Sequence, residues 1–177
     1  MVQIEEYKEF KIIPLTKDLA NKYSAAICTA LALIPSVEPR TPEQLLAENK
    51  GERALHKKWE HSLIALKEDQ FAGVIIGYER ESENTDQYPH HSIYVSDFAV
   101  AAQYQRKGLG TFLVKTWLDY NQQKGFLELN GDLRFSIQTN SADWNKHVQE
   151  LYESFGFRKI ATKTYDNRVD NVYFLKV

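Results

Sequence analysis

The stretch QYQRKGLGTF, residues 103–112, decides how this chain is read. It lies between an apolar run, residues 93–100, and an amphipathic segment that begins at Leu109. Two glycines one residue apart, Gly108 and Gly110, stand behind the basic pair Arg106-Lys107. Glycine costs about 1 kcal/mol relative to alanine inside a helix, so this is an expensive way to start one. A strand, a glycine-bearing loop and a helix together form a recurrent phosphate holder. The first helical turn presents unpaired N–H groups and a partial positive charge. Glycines then let a pyrophosphate approach the backbone without meeting a Cβ. The bare backbone reads as an anion cradle, with Arg106 and Lys107 adding charge. The simpler reading is that the glycines only relieve crowding where a helix meets a sheet.

Working outward, residues 10–15 read as a short strand closing into Pro14-Leu15-Thr16, with Thr16 or Asp18 capping a helix that runs to Leu33. Ile34-Pro35 ends it. Thr41-Pro42-Glu43-Gln44 reads as an N-cap with proline at the first helical position and an acid in the first turn, opening a helical region over 42–60. Residues 61–67 and 71–78 read as a hairpin turned at Glu68-Asp69. Residues 80–91 form a polar loop carrying Pro89, and 93–100 a strand. Leu109, Phe112, Leu113, Thr116, Trp117 and Tyr120 fall at helical spacing, and Gly125 ends that helix. Residues 133–139 alternate as a strand, and 143–155 form a helix stopped by Gly156. The last strands, 157–162 and 172–177, are joined by a polar loop over 163–171. No repeat, low-complexity tract or linker interrupts the order. It predicts one mixed α/β domain over 1–177, a central mixed sheet of about six to seven strands flanked by about four helices.

Composition narrows the partners. The chain has 177 residues, 43% hydrophobic and 26% charged, with a formal net charge of -2. That balance gives no electrostatic reason to expect a nucleic acid or an anionic membrane as partner. No apolar run approaches the roughly 20 residues of a membrane span. Residues 1–10 are acidic and broken by charges, unlike a signal peptide. The single cysteine, Cys28, forbids an intrachain disulfide and favours a reducing compartment. The expected location is cytoplasmic. Among Ala25, Ala26, Ile27 and Ala30, Cys28 reads as a small buried helix residue rather than a reactive thiol.

Two familiar phosphate motifs fail here. The dinucleotide fingerprint GxGxxG breaks at Leu113, and Gly110-Thr111 lacks the lysine of the ATPase and GTPase loop. Gln105-Arg106-Lys107-Gly108-Leu109-Gly110 does match Q/R-x-x-G-x-G/A. Further on, Asn145, Val148, Leu151, Tyr152, Gly156 and Phe157 match N-x-x-A-x-x-L-Y-x-x-x-G-F, with valine in place of the alanine. With both segments in this order, the chain resembles the GNAT superfamily of N-acetyltransferases over residues 92–160.

The resemblance implies a single-domain GNAT-like fold, acetyl-CoA as co-substrate, no metal, and acetyl transfer to a primary amine by direct attack in a ternary complex. It implies that backbone amides of Phe98, Ala99 and Val100 bind the thioester and pantetheine. The loop amides of Gln105, Arg106, Lys107, Gly108, Leu109, Gly110 and Thr111 would grip the pyrophosphate. Asn145 would hydrogen-bond the cofactor, and Tyr152 would protonate the departing thiolate. Helix geometry sets Asn145 and Tyr152 about 20° apart, with Val148, Leu151 and Phe155 on the adjoining stripe as the buried face. Tyr152 read without the family is equally a core aromatic whose hydroxyl finds a backbone partner.

The general base is left between Asp97, on the strand beside the thioester, and Glu79, which ends the neighbouring strand. His90-His91 reads as loop, because adjacent extended residues point opposite ways and no further ligand stands at metal spacing. His56, His61 and His147 read as surface or satisfied core residues. The resemblance implies an acceptor pocket built from 34–50, 80–91 and 164–171, with Glu38, Tyr78, Tyr94 and Tyr165 as candidate contacts. Glu81, Glu83 and Asp86, partly offset by Arg80, either attract a cationic amine or form a solvated loop. A small-molecule or peptide amine fits, as does a monomer or a homodimer. The alternatives are a non-catalytic CoA-binding module, another acyl chain, or a hydroxyl acceptor.

Overall fold

The computed structural model of the protein describes residues 5–83, 85–124 and 132–177. In chain order its elements are β1 (Glu5–Tyr7), β2 (Phe10–Pro14), α1 (Lys17–Lys22), α2 (Ser24–Ala32), α3 (Pro42–Leu46), β3 (Asn49–Lys50) and β4 (Arg53–Ala54). Then come β5 (Leu63–Lys67), β6 (Gln70–Arg80), β7 (Ser92–Val100), α4 (Leu109–Gln123), β8 (Arg134–Asn140), α5 (Lys146–Ser154), β9 (Arg158–Tyr165) and β10 (Arg168–Lys176). The expected mixed sheet runs β1-β2-β5-β6-β7-β8-β10-β9, the three-residue β1 bringing it to eight strands. Every pairing in it is antiparallel except that of β7 with β8. β3 and β4 form a separate small hairpin.

Local chemistry sets the turns. Thr16 caps α1 by accepting the Leu19 N–H at 3.2 Å, and Thr41 and Gln44 close a reciprocal capping box on α3. The β5–β6 hairpin turns through Glu68 (φ 46°) and Asp69 (φ 61°), both left-handed, a pairing whose twist matches the flanking strands. Trp117 of α4 is fully buried and donates to the His61 carbonyl at 2.5 Å. A Cβ on Gly77 would sit 2.9 Å from the Trp117 ring and 3.1 Å from that carbonyl, so only glycine fits there. Leu113 and Trp117 pack with Ile75, Phe135 and Ile137 on one face of the sheet. Ile27, Leu31 and Leu45 pack with Ile64, Val74 and Ile76 on the other.

Four expectations change. The helix over 16–33 is two helices, broken at Tyr23 (φ −102°, ψ 11°), whose hydroxyl donates to the Asp69 carbonyl. The helical region over 42–60 stops at Leu46. Lys58 folds back and donates to the Leu45 and Ala47 carbonyls at 2.6 and 2.7 Å, satisfying the end of α3. The polar loop over 163–171 is strand up to Tyr165 and again from Arg168. Its buried Asp170 and Asn171 find partners in Gln138 and Gln149, so polarity there marks pairing rather than solvent. On α5 the buried side is centred on Tyr152, while Val148, Leu151 and Phe155 are half-buried around it. The expected helix end at Gly125 lies outside the described residues. Among those residues no helix is long and apolar enough to cross a membrane.

Candidate active site

The parallel pairing of β7 with β8 consists of Ile93↔Phe135, Tyr94↔Ser136 and Val95↔Ile137. Beyond it β7 runs on to Val100 and β8 to Asn140, so the two strands part. A bulge lies at the point of parting. Ile76 faces Asp97 and Gly77 faces Val95, leaving Ser96 as the extra residue. The extra residue switches the faces of β7. Ile93 and Val95 pack under α4, whereas Asp97 now shares the side of Ala99, toward α2. Phe98 and Val100 take the α4 side.

The glycine loop closes the wide end of this opening. Gln105 donates its side-chain N–H to the Val100 carbonyl at 3.0 Å and so ties the loop to the strand end. Arg106 (φ 59°) and Gly108 (φ 84°) are both left-handed, which turns the chain sharply into α4. Gly108 is the N-cap and supplies no side chain to the helix start, in contrast to the threonines of α1 and α3. The first return bond is from the Phe112 N–H to the Gly108 carbonyl at 3.1 Å, leaving the Leu109, Gly110 and Thr111 amides without a partner among the described residues. A Cβ on Gly110 would stand 3.3 Å from the Phe98 ring, so this second glycine does relieve crowding between helix and strand. The crowding reading of QYQRKGLGTF thus applies to Gly110, while Gly108 serves the left-handed turn into α4.

On α5, the Tyr152 ring lies 6.3 Å from Phe98 and 5.8 Å from Phe157, between centroids. Its hydroxyl has no hydrogen-bond partner among the described residues, and burial pushes the phenol well above its ordinary pKa. Asn145 is buried ahead of α5 and donates to Thr139 Oγ1 and the Asn140 carbonyl, both at 2.7 Å. It thereby fixes the free end of β8, and only its amide oxygen remains for a ligand.

The α2 side of the opening is polar. Asp97 Oδ1 pairs with Arg40 at 2.5 Å and Oδ2 accepts from Ser96 at 2.8 Å. Glu79 lies on the opposite, α4 face of β6, held by Lys57 and by His61 Nε2, each at 3.1 Å, with His61 Nδ1 on Asn121 of α4. Tyr78 and Tyr94 meet edge-on at 5.4 Å. Tyr88 is fully buried and donates to Gln138, which in turn donates to Tyr165. Glu83 is taken up by Arg80 and Arg53, which leaves it no free charge for a cationic amine. Burial raises the Cys28 thiol above its ordinary value, so it is protonated at neutral pH.

A sequence profile of the acetyltransferase (GNAT) family matches residues 26–157. The chain belongs to that family. Among solved GNAT structures, the ribosomal-protein-S18-alanine N-acetyltransferase from Escherichia coli is similar with a TM-score of 0.66 at 20% identity, over 95% of this chain and 94% of that one. Ard1 from Thermoplasma volcanium gives 0.67 at 18% identity, over 96% and 98%. Arabidopsis thaliana Naa50, in complex with the bisubstrate analogue CoA-Ac-MVNAL, gives 0.64 at 15% identity, over 94% and 98%. At these identities the likeness establishes the fold. No curated protein sequence matches the chain significantly.

In this GNAT chain Phe98, Val100, residues 105–111 and the Tyr152 ring surround one opening. Asn145 stands at the end of β8, and Asp97 and Glu79 are engaged in ion pairs. His90 lies edge-on to Phe174 in a surface loop. Arg40 and Arg168, which border the α2 side, had no local signal in the sequence. Only the pairing of distant segments reveals them.

Proposed function

We propose that the protein transfers the acetyl group of acetyl-CoA to a primary amine within a ternary complex. The observation that carries this reading is the parting of β7 from β8 beside the uncapped start of α4. The chain's groups fit the co-substrate. The amides of Leu109, Gly110 and Thr111, which have no partner among the described residues, and the left-handed Gly108 form an anion cradle, with Arg106 and Lys107 exposed beside it. The inner edge of β7 from Phe98 to Val100 offers main-chain groups to an extended ligand and N–H donors to a developing oxyanion.

Bound acetyl-CoA supplies the activated acetyl group and a thiol leaving group. Tyr152 holds a proton at Oη for the sulfur. An ordinary phenol near 10 and a thiol near 8.5 differ by about 1.5 units, so full transfer is uphill by about 2 kcal/mol. Burial widens that gap, so Tyr152 acts chiefly by donating a hydrogen bond as the sulfur leaves. The acceptor must attack as a free amine. For a lysine-like amine at pH 7, deprotonation costs roughly 4.6 kcal/mol. Asp97, locked by Arg40 and Ser96, serves as a positioning residue, and Asn145 orients the end of β8.

Calorimetric titration with acetyl-CoA and free CoA, with Gly108→Trp as control, tests the proposal. Saturable binding lost in the variant, followed by thiol release with a panel of amines, is expected. No binding to the wild-type protein refutes it. Binding with no thiol release from any amine points instead to a non-catalytic CoA-binding module.

A further inference from the structure

The opening between β7 and β8 reaches both faces of the sheet. The glycine loop and α4 occupy one face, so an acceptor has to come from the other. That face is walled by guanidinium groups standing on buried carboxylates. Arg40, from the segment 34–41 between α2 and α3, is 33% exposed above Asp97, which is 4% exposed. Arg168 repeats the arrangement at the start of β10. Its Nε lies 3.3 Å from Asp170 Oδ2, with exposures of 34% and 6%. The same segment joins the two, because Arg168 Nη1 donates to the Ser36 carbonyl at 2.8 Å. Ser36 and Arg40 are four residues apart, so their Cα atoms are separated by about 14 Å at most.

A buried carboxylate fixes each guanidinium and leaves its outer N–H groups turned elsewhere. Among the described residues, Nε and Nη2 of Arg40 have no acceptor, and Arg168, stacked 4.5 Å from the Tyr165 ring, has a buried Nε that faces Asp170 without a hydrogen bond. The wall continues through Gln138, which donates to Asp170 at 2.7 Å and to Tyr165 at 2.8 Å and accepts from Tyr88 at 2.7 Å. Beyond it Arg80 stacks 3.6 Å above the Tyr88 ring. Arg80 is 9% exposed, and its Nε is buried without an acceptor. A buried donor left unpaired is costly, and a ligand oxygen relieves it. Four guanidiniums, Arg40, Arg53, Arg80 and Arg168, meet three carboxylates along this wall, Asp97, Glu83 and Asp170, among the described residues.

Building on the acetyl-transfer reading, we infer that the acceptor is an amine that also carries a carboxylate, gripped by Arg40 and Arg168. Guanidinium forks match a carboxylate in two-point geometry, which a lone ammonium does not reproduce. The competing charge is that of Glu38 and Asp166, exposed two residues from Arg40 and Arg168, and of Glu81 and Asp86, exposed on the β6–β7 loop. They would favour a basic amine instead.

The test titrates CoA-loaded protein with tetrapeptide amides that differ only in glutamate, glutamine or lysine at the second position. Free aspartate and asparagine form a second set. The acid should bind about tenfold more tightly than its amide in at least one set, with the preference shrinking as salt is raised. The peptide set identifies an acidic residue near a chain terminus, and the amino-acid set a free acidic amino acid. Arg168→Gln should abolish the preference with CoA affinity retained and the fold intact at a lowered melting temperature, since buried Asp170 loses its cation, and Arg40→Lys should weaken it. Equal binding of acid and amide in both sets, or preference for lysine, overturns the inference. Thiol release on the same panel separates the two claims. Transfer without charge preference sinks this inference alone. An acid preference without transfer from any amine leaves an anion site that serves no acceptor, and likewise overturns it. Failure to bind CoA removes the acetyl-transfer reading and this inference with it.

Discussion

Replacing Tyr152 by phenylalanine separates a catalytic hydroxyl from a packing one. The contacts to Phe98 and Phe157 are made by the ring, which phenylalanine keeps. The hydroxyl has no partner among the described residues, so its loss breaks no hydrogen bond. Because Oη is not sealed from solvent, the variant should be about as stable as the parent. For a domain of this size each kcal/mol shifts Tm by about 2–4 °C, which predicts a Tm within a few degrees of the parent. Turnover should fall by about 10²–10³, the usual worth of one hydrogen-bond donor to a developing charge, while acetyl-CoA affinity is retained. Because burial raises the phenol, it stays protonated at high pH. The wild-type rate should therefore show no alkaline loss before about pH 10, the ordinary value of a phenol. Thiol-release kinetics and calorimetric melting check both halves. An unchanged kcat, or a Tm lowered by several degrees, would return Tyr152 to the core and refute the reasoning.

Further outcomes follow from the backbone and from burial. Gly108→Ala forces a Cβ into a left-handed residue at about 1–2 kcal/mol, and places it 2.7 Å from Tyr7 Oη, which can swing aside. A modest fall in Tm with weaker acetyl-CoA binding is expected; unchanged binding would detach the loop from phosphate. Gly77→Ala meets Trp117 and two backbone carbonyls and should cost about 1–3 kcal/mol in urea unfolding, and an unmoved midpoint contradicts the packing described. Burial lowers Lys58 to about 8, below the unfolded value of about 10.4. Between these values the unfolded chain holds a proton that the folded chain has released, so stability rises with pH by about 3 kcal/mol at most. Lys58→Met should lack that rise, and parallel pH profiles for the two proteins would exclude it.

Much of the architecture could be read in advance because its signals are local. The left-handed pair Glu68-Asp69, the cap Thr41 with Gln44, and the helical spacing of Leu113 and Trp117 each depend on near neighbours. The glycine loop was legible for the same reason. What escaped depends on contacts far apart in sequence. Asp170 and Asn171 read as solvent-facing until Gln138 and Gln149 are brought beside them. The bulge at Ser96 turns Asp97 to the α2 side, and no residue type announces a bulge. Asp97 read as a free base because Arg40, in a segment without secondary structure, is invisible as its partner. Glu83 read as only partly offset by Arg80, and Arg53, thirty residues away, had no signal as its second partner. On α5, rotating the buried stripe by one position moved Tyr152 from the rim into the core wall.

The three-pair seam between β7 and β8 bears on solubility as much as on chemistry. Two strand edges with unpaired main-chain groups are a standing invitation to aggregate. Here both edges face each other across a wedge, and their outer sides are occupied by β6 and β10. A foreign sheet cannot enter such a wedge, whereas a single extended chain can. The fold thus shelters its reactive edges from other proteins while leaving them open to a slender ligand.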